Sequence, residues 1–159
     1  MTFVALLFYS KQLKANEGDF NAAFANFIKL VYVNVETVEK SNRFCIFGSD
    51  DISLQIIPLI DKNVLEILNE NIDPKRSYKK CRVVYVAKSK QKVVKSAIVP
   101  LNKSGALTIA TFNSFVNDGG MFSVDVGRRN FELTVNSLTF KESGVKIDSS
   151  IIGLIVERR

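Results

Sequence analysis

Histidine and tryptophan are absent from the 159 residues, and the chain has only two cysteines and three prolines. Without histidine there is no Ser–His or Cys–His nucleophile and no imidazole metal ligand. The usual side-chain switch near neutral pH is also missing. Most familiar hydrolase mechanisms are thereby excluded, and a protein that is not an enzyme is expected. The cysteines do not form Cys-x-x-Cys, which excludes a thioredoxin-type site. No apolar run reaches the roughly 18 residues that span a bilayer as a helix. Internal repeats and low-complexity segments are absent. Asp118-Gly119-Gly120 stands alone, with neither a Walker loop nor a dinucleotide fingerprint around it. No zinc-finger, KH or RRM signature occurs, and no basic stretch is interleaved with aromatics, so nucleic acid is not the expected partner. Nothing implies a metal or another cofactor.

What is present is ordinary for one globular domain: 47% hydrophobic and 24% charged residues. A chain of this length buries about 70% of the surface that its unfolded form exposes. The net charge is +6, with basic groups at Lys75-Arg76, Lys79-Lys80, Lys88/Lys90/Lys92/Lys95, Arg128-Arg129 and Arg158-Arg159. These either meet an anionic partner or form a solvated basic surface. Asp50-Asp51, Asp125 and Glu132 include potential carboxylate pairs, but sixteen acidic residues make chance pairs common.

Residues 2–9, TFVALLFY, are almost wholly apolar. They read as the core of a short secretory signal ending after Ala15, without the usual basic start. The alternative is an N-terminal strand of the mature fold. Cys45 in RFCIFG and Cys81 in KKCRVVYV both lie in strand-like runs. In a reducing compartment they are two small core residues; in an oxidising one they bridge if their strands are neighbours.

Asp19 is placed to cap a helix whose apolar stripe is Phe20, Ala23, Phe24, Phe27, Ile28 and Val31. RFCIF is a short strand, and Ser49-Asp50-Asp51 offers caps to an apolar helix limited by Pro58. Residues 63–68 suit a strand, and CRVVYVA suits a strand buried on both faces. Ser89 opens a basic amphipathic helix with Val93, Val94, Ala97 and Ile98 inward. ALTIA is another buried strand, and TFNSFVND a turn or short helix. Strands alternating with helices imply a single-domain α/β three-layer sandwich, its mixed and mostly parallel sheet flanked by helices.

Residues 119–154 then change character. Phe122, Val124 and Val126 alternate with Ser123 and Asp125, and Phe131, Leu133 and Val135 alternate with Asn130, Glu132 and Thr134. This is a C-terminal antiparallel hairpin about Gly127-Arg128-Arg129. At its tip Arg128 and Arg129 are candidates to bind a phosphate or carboxylate, or they serve only turn solubility. Asn136 is expected to cap the helix SLTFKES, Gly144 to end it, and Asp148 with Ser149 to cap a last helix over 149–156.

In these pieces the chain resembles the YfiR/HmsC family of periplasmic regulators. The resemblance rests on Gly119-Gly120-Met121, Leu133-Thr134-Val135-Asn136, the run from Gly144 to Ser149, and Ile151-Ile152-x-Leu154. Upstream, DFNAAFANFIKLV, RFCIFGSDD, CRVVYVA and LTIATFNSFVNDGGM follow in the family order, giving a domain over 19–156 after a signal or its remnant at 1–15. Tyr32-Val33-Asn34 replaces the common Trp-Pro, and Leu-Thr-Val-Asn replaces Phe-Glu-Ile-Asn. The resemblance implies a periplasmic repressor that contacts the periplasmic sensor portion of an inner-membrane diguanylate cyclase. It also implies sequestration by an OmpA-like outer-membrane lipoprotein, and biofilm output that follows envelope stress or redox state. A homodimer is compatible with this role. Some relatives are instead sensor modules joined to histidine kinases, which makes a small-ligand sensor the alternative. Family cysteines at the positions of Cys45 and Cys81 imply a disulfide. Gly119, Gly120, Met121, Asn136, Gly144, Asp148 and Ser149 are then structural punctuation.

Overall fold

The computed structural model describes residues 17–68, 81–126 and 131–153. Helix α1 (Glu17–Asn34) leads into strands β1 (Val35–Glu36) and β2 (Arg43–Phe47). Helix α2 (Asp51–Ile56) and a 3-10 turn (Ile57–Leu59) precede β3 (Leu65–Leu68). After β4 (Cys81–Val86) come a 3-10 segment (Lys88–Val93) and α3 (Val94–Lys103). Then follow β5 (Leu107–Ala110), α4 (Ser114–Asn117), β6 (Phe122–Val126) and β7 (Phe131–Val135). The last elements are α5 (Ser137–Ser143), β8 (Lys146–Ile147) and α6 (Ser149–Gly153).

Six strands form one sheet in the order β3-β2-β4-β5-β6-β7, parallel except for the antiparallel β6–β7 hairpin. Alternation along each strand supplies two dry faces. Phe44, Ile46, Val83, Tyr85, Leu107, Ile109, Phe122, Val124 and Leu133 pack with Phe24, Ile28 and Val31 of α1 and Ile52 and Ile56 of α2. On the opposite face Cys45, Phe47, Val84, Val86 and Ala110 pack with Val94, Ala97, Ile98 and Leu101 of α3 and Phe115 of α4. The result is the three-layer α/β arrangement expected from the alternation of elements.

From β2 the chain moves to one side through α2, then from β4 to the other side through α3. The covering helix changes face when the direction changes, as right-handed crossovers require. The pair β2–β4 is therefore the switch point of the sheet. A separate two-stranded antiparallel sheet joins β1 to β8, pairing Val35 with Ile147 and Glu36 with Lys146.

Several boundaries and faces differ from the sequence expectation. Helix α1 starts at Glu17, which puts Asp19 inside its first turn. Its buried stripe uses Ala25 and leaves Ala23 exposed, because the helix face centres on Phe24, Ile28 and Val31. Ser89 does not open an α-helix: its hydroxyl accepts the Ser49 N–H at 2.9 Å, the local coil is 3-10, and Val93 is exposed. Ser123 is buried, since α4 covers the second face, and its hydroxyl donates to the Phe112 carbonyl at 2.8 Å. The apolar segment 2–9, the Gly127-Arg128-Arg129 turn and residues 154–156 lie outside the described residues.

Cys45 and Cys81 are disulfide-bonded, with Cα atoms 5.8 Å apart. On the chain-entropy model, closing a loop of this length stabilises by about 4 kcal/mol. Replacing both cysteines by alanine should lower the urea-unfolding free energy by a large part of that amount. A loss near zero would show that the bridge does not constrain the unfolded chain.

Candidate functional site

Open α/β sheets usually bind ligands beyond the carboxyl ends of the strands at the switch point. Here the loops after β2 and β4 are tied to each other by side-chain bonds. Asp50 caps α2: its Oδ1 accepts the Ser53 N–H at 2.7 Å, and the Ser53 hydroxyl oxygen accepts the Asp50 N–H at 2.9 Å. The other oxygen, Oδ2, accepts from the Tyr85 hydroxyl at 2.9 Å and from the Lys88 N–H at 2.7 Å. One carboxylate thus ties the loop after β2 to the end of β4. Gly48 turns with φ +91°, and a Cβ there would lie 2.6 Å from both Ser89 Oγ and Lys90 Cγ. Only glycine lets the two loops close this tightly. Burial first, and then the Asp50 carboxylate, push the Tyr85 phenol far above its ordinary value.

The Gly119-Gly120-Met121 turn is a second junction built from backbone. The Gly119 carbonyl accepts from Asn102 Nδ2 at 2.8 Å, and the Gly120 N–H donates to the Phe115 carbonyl at 2.8 Å. The Met121 N–H donates to the buried Thr108 hydroxyl, and its carbonyl accepts the Asn136 N–H. A Cβ on Gly120 would strike the Phe115 ring at 2.2 Å, so the ring needs glycine there. Asn136 caps α5 through the Thr139 N–H and also donates from Nδ2 to the Val116 carbonyl. Gly144 ends α5 in the left-handed conformation. Asp148 accepts from the Ser150 N–H and hydroxyl, which hold its carboxyl below the ordinary carboxylate range; Ser149 is the first residue of α6. These residues sit at turns and caps. Arg128 and Arg129 lie outside the described residues.

The amino end of β4 holds an arrangement that the sequence reading missed. Arg43 pairs with Cys81, but Phe44 pairs with Val83, leaving Arg82 as the extra residue of a bulge. The guanidinium lies 5.5 Å from the centre of the Tyr32 ring, and its Nε donates to the Ser41 carbonyl at 2.7 Å. Tyr32 is fixed in turn by its hydroxyl bond to the Asn42 carbonyl and an edge contact with Phe44. Among the described residues, none bonds the two terminal nitrogens of Arg82. Arg82 lines a groove of about 490 Å³ with Val33, Asn34, Val35, Glu36, Lys146, Ile147 and Asp148. The available signal was a lone arginine beside a cysteine in an otherwise apolar strand.

The YfiR/HmsC-like family model matches residues 20–154. The chain belongs to the YfiR/HmsC-like family. The crystal structure of a conserved domain protein from Vibrio cholerae O1 biovar El Tor strain N16961 has a similar fold, with a TM-score of 0.61 at 11% identity. The match covers 87% of this chain and 60% of that one, so the chain spans less than two thirds of that neighbour's length. No curated protein matches. Among the described residues, no helix is long and apolar enough to cross a membrane.

The Asp50–Tyr85 lock has a pH signature. Above about pH 10 the unfolded chain ionises Tyr85, whereas the folded chain keeps it protonated. Stability from this group is therefore complete below pH 10 and declines as pH rises from there. Tyr85→Phe should cost about 1–2 kcal/mol at pH 7 and flatten part of the alkaline decline in urea titrations. An unchanged alkaline slope would sink this assignment.

Proposed function

We propose that this YfiR/HmsC-like protein is a periplasmic regulator that represses an inner-membrane diguanylate cyclase by contacting its periplasmic sensor portion. The observation that carries the reading is the family match over residues 20–154. The bonds from Tyr85 and Lys88 to Asp50 support it, because they fix the loops at the carboxyl ends of β2 and β4, where such sheets usually hold a substrate. In this reading the protein acts by protein–protein contact and is not an enzyme. The bridge between Cys45 and Cys81 suits an oxidising compartment and supports a link from envelope redox state to cyclic-di-GMP and biofilm output. An OmpA-like outer-membrane lipoprotein is the proposed sequestering partner.

One observation favours a second reading, a small-ligand sensor working with a membrane histidine kinase. The groove at Arg82 presents a pre-oriented guanidinium fork suited to a carboxylate or phosphate. The two readings separate experimentally. Deleting the gene should raise cellular cyclic-di-GMP, and an unchanged level under both reducing and oxidising conditions would remove the repressor reading. A thermal-shift screen of nucleotides and amino acids tests the second. A groove ligand at 100 times its dissociation constant should add about 2.7 kcal/mol of stability, and no shift with any compound counts against the sensor.

A further inference from the structure

We propose that the Cys45–Cys81 disulfide sets the affinity of the Arg82 groove for a carboxylate- or phosphate-bearing small molecule. This inference rests on the ligand reading of the groove and adds to it a control element. Cys81 pairs with Arg43 just before the bulge, and Cys45 pairs with Val84 just after it. The S–S bond therefore spans the irregularity and ties its two flanks together. The bulge is what lets Arg82 and Val83 both face the α1 side, with Val83 in the core and Arg82 beside Tyr32. A bulge moves along a strand by local re-pairing, and each one-residue move sends a side chain to the other face of the sheet. With the flanks tied, that move is blocked and the guanidinium stays between the Tyr32 ring and the Ser41 carbonyl.

Reduction removes the tie. The S–S bond takes up two electrons and two protons from a dithiol, which closes to its own disulfide, leaving two thiols at Cys45 and Cys81. Both cysteines are buried, so the exchange needs local opening of the amino end of β4. A ligand gripping Arg82 holds that end closed. Binding and reduction therefore oppose each other, and by linkage the coupling is reciprocal. Glu36, Asp148 and Lys146 share the groove lining with Arg82, so its charges balance and the guanidinium is the group offered to an oxyanion.

The test uses the full chain, oxidised and after dithiothreitol, with glutamate and inorganic phosphate as probes. Far-UV circular dichroism establishes that both forms are folded. Calorimetry should give about tenfold weaker probe binding after reduction, within the usual range of coupling between sites. The Arg82 Nε–H signal in nitrogen-edited NMR should exchange faster in the reduced form, since its bond to Ser41 is lost. Arg82→Lys keeps the charge but not the planar fork, and should weaken probe binding in the oxidised form while leaving reduction by dithiothreitol insensitive to the probe. Should reduction unfold the chain, the rate of dithiothreitol reduction of the native protein decides instead, with saturating probe expected to slow it. Equal affinities in both redox states, or a reduction rate indifferent to the probe, overturn the inference alone. If neither probe binds the oxidised chain, the ligand reading falls and this inference with it, while the cyclase reading stands.

Discussion

The pairing of β2 with β4 is the constraint on which the rest of the molecule depends, because there the chain reverses its direction across the sheet. Helices α2 and α3 lie on opposite faces as a consequence of that reversal. A parallel pair has no hairpin to set its register, and its two strands are separated by a long connection. The register is instead secured by two polar or covalent devices. At the carboxyl end, one Asp50 carboxylate receives Tyr85, Lys88 and Ser53, while the Ser89 hydroxyl receives the Ser49 N–H. Toward the amino end, the disulfide fastens Cys45 to Cys81 across the bulge.

These two devices differ in kind, and the difference bears on function. The carboxyl-end lock is local, assembled from hydrogen bonds with well-matched partners, and ties the loops where open α/β sheets usually bind ligands. The amino-end lock is covalent, a single disulfide between buried cysteines. A bulge beside it leaves a cation partly exposed, with an aromatic ring on one side and two unpaired terminal nitrogens among the described residues. The carboxyl ends of the pair are held by polar bonds, and the partly buried Arg82 lies at its amino end.

Much of the architecture was legible in the sequence because the signals were local. ALTIA and CRVVYVA announce buried strands through nearly continuous apolar content, RFCIF a short strand, and Asn136 and Gly144 announce the ends of α5 through cap chemistry. What was not legible depends on tertiary partners. Ser89 reads as a helix opener until Ser49 takes its hydroxyl. Ser123 reads as solvent-facing until α4 covers its side of the sheet. Strands β1 and β8 are two residues each, too short to carry a period. The bulge is invisible for a related reason: a one-residue offset appears only when both strands are seen paired.

The same limit hides Arg82, a lone arginine beside a cysteine in the sequence. Adjacent residues such as Arg128 and Arg129 attract notice because they stand together in the sequence. An arginine second in an apolar strand attracts none. Its side chain is set by two neighbours from separate parts of the chain, the Tyr32 ring and the Ser41 carbonyl. A solvated charge, by contrast, discriminates poorly between partners. Recognition requires a group that is both unsatisfied and held still. Within the described residues, Arg82 combines those properties, and the bond beside it is the one covalent link that redox chemistry can open.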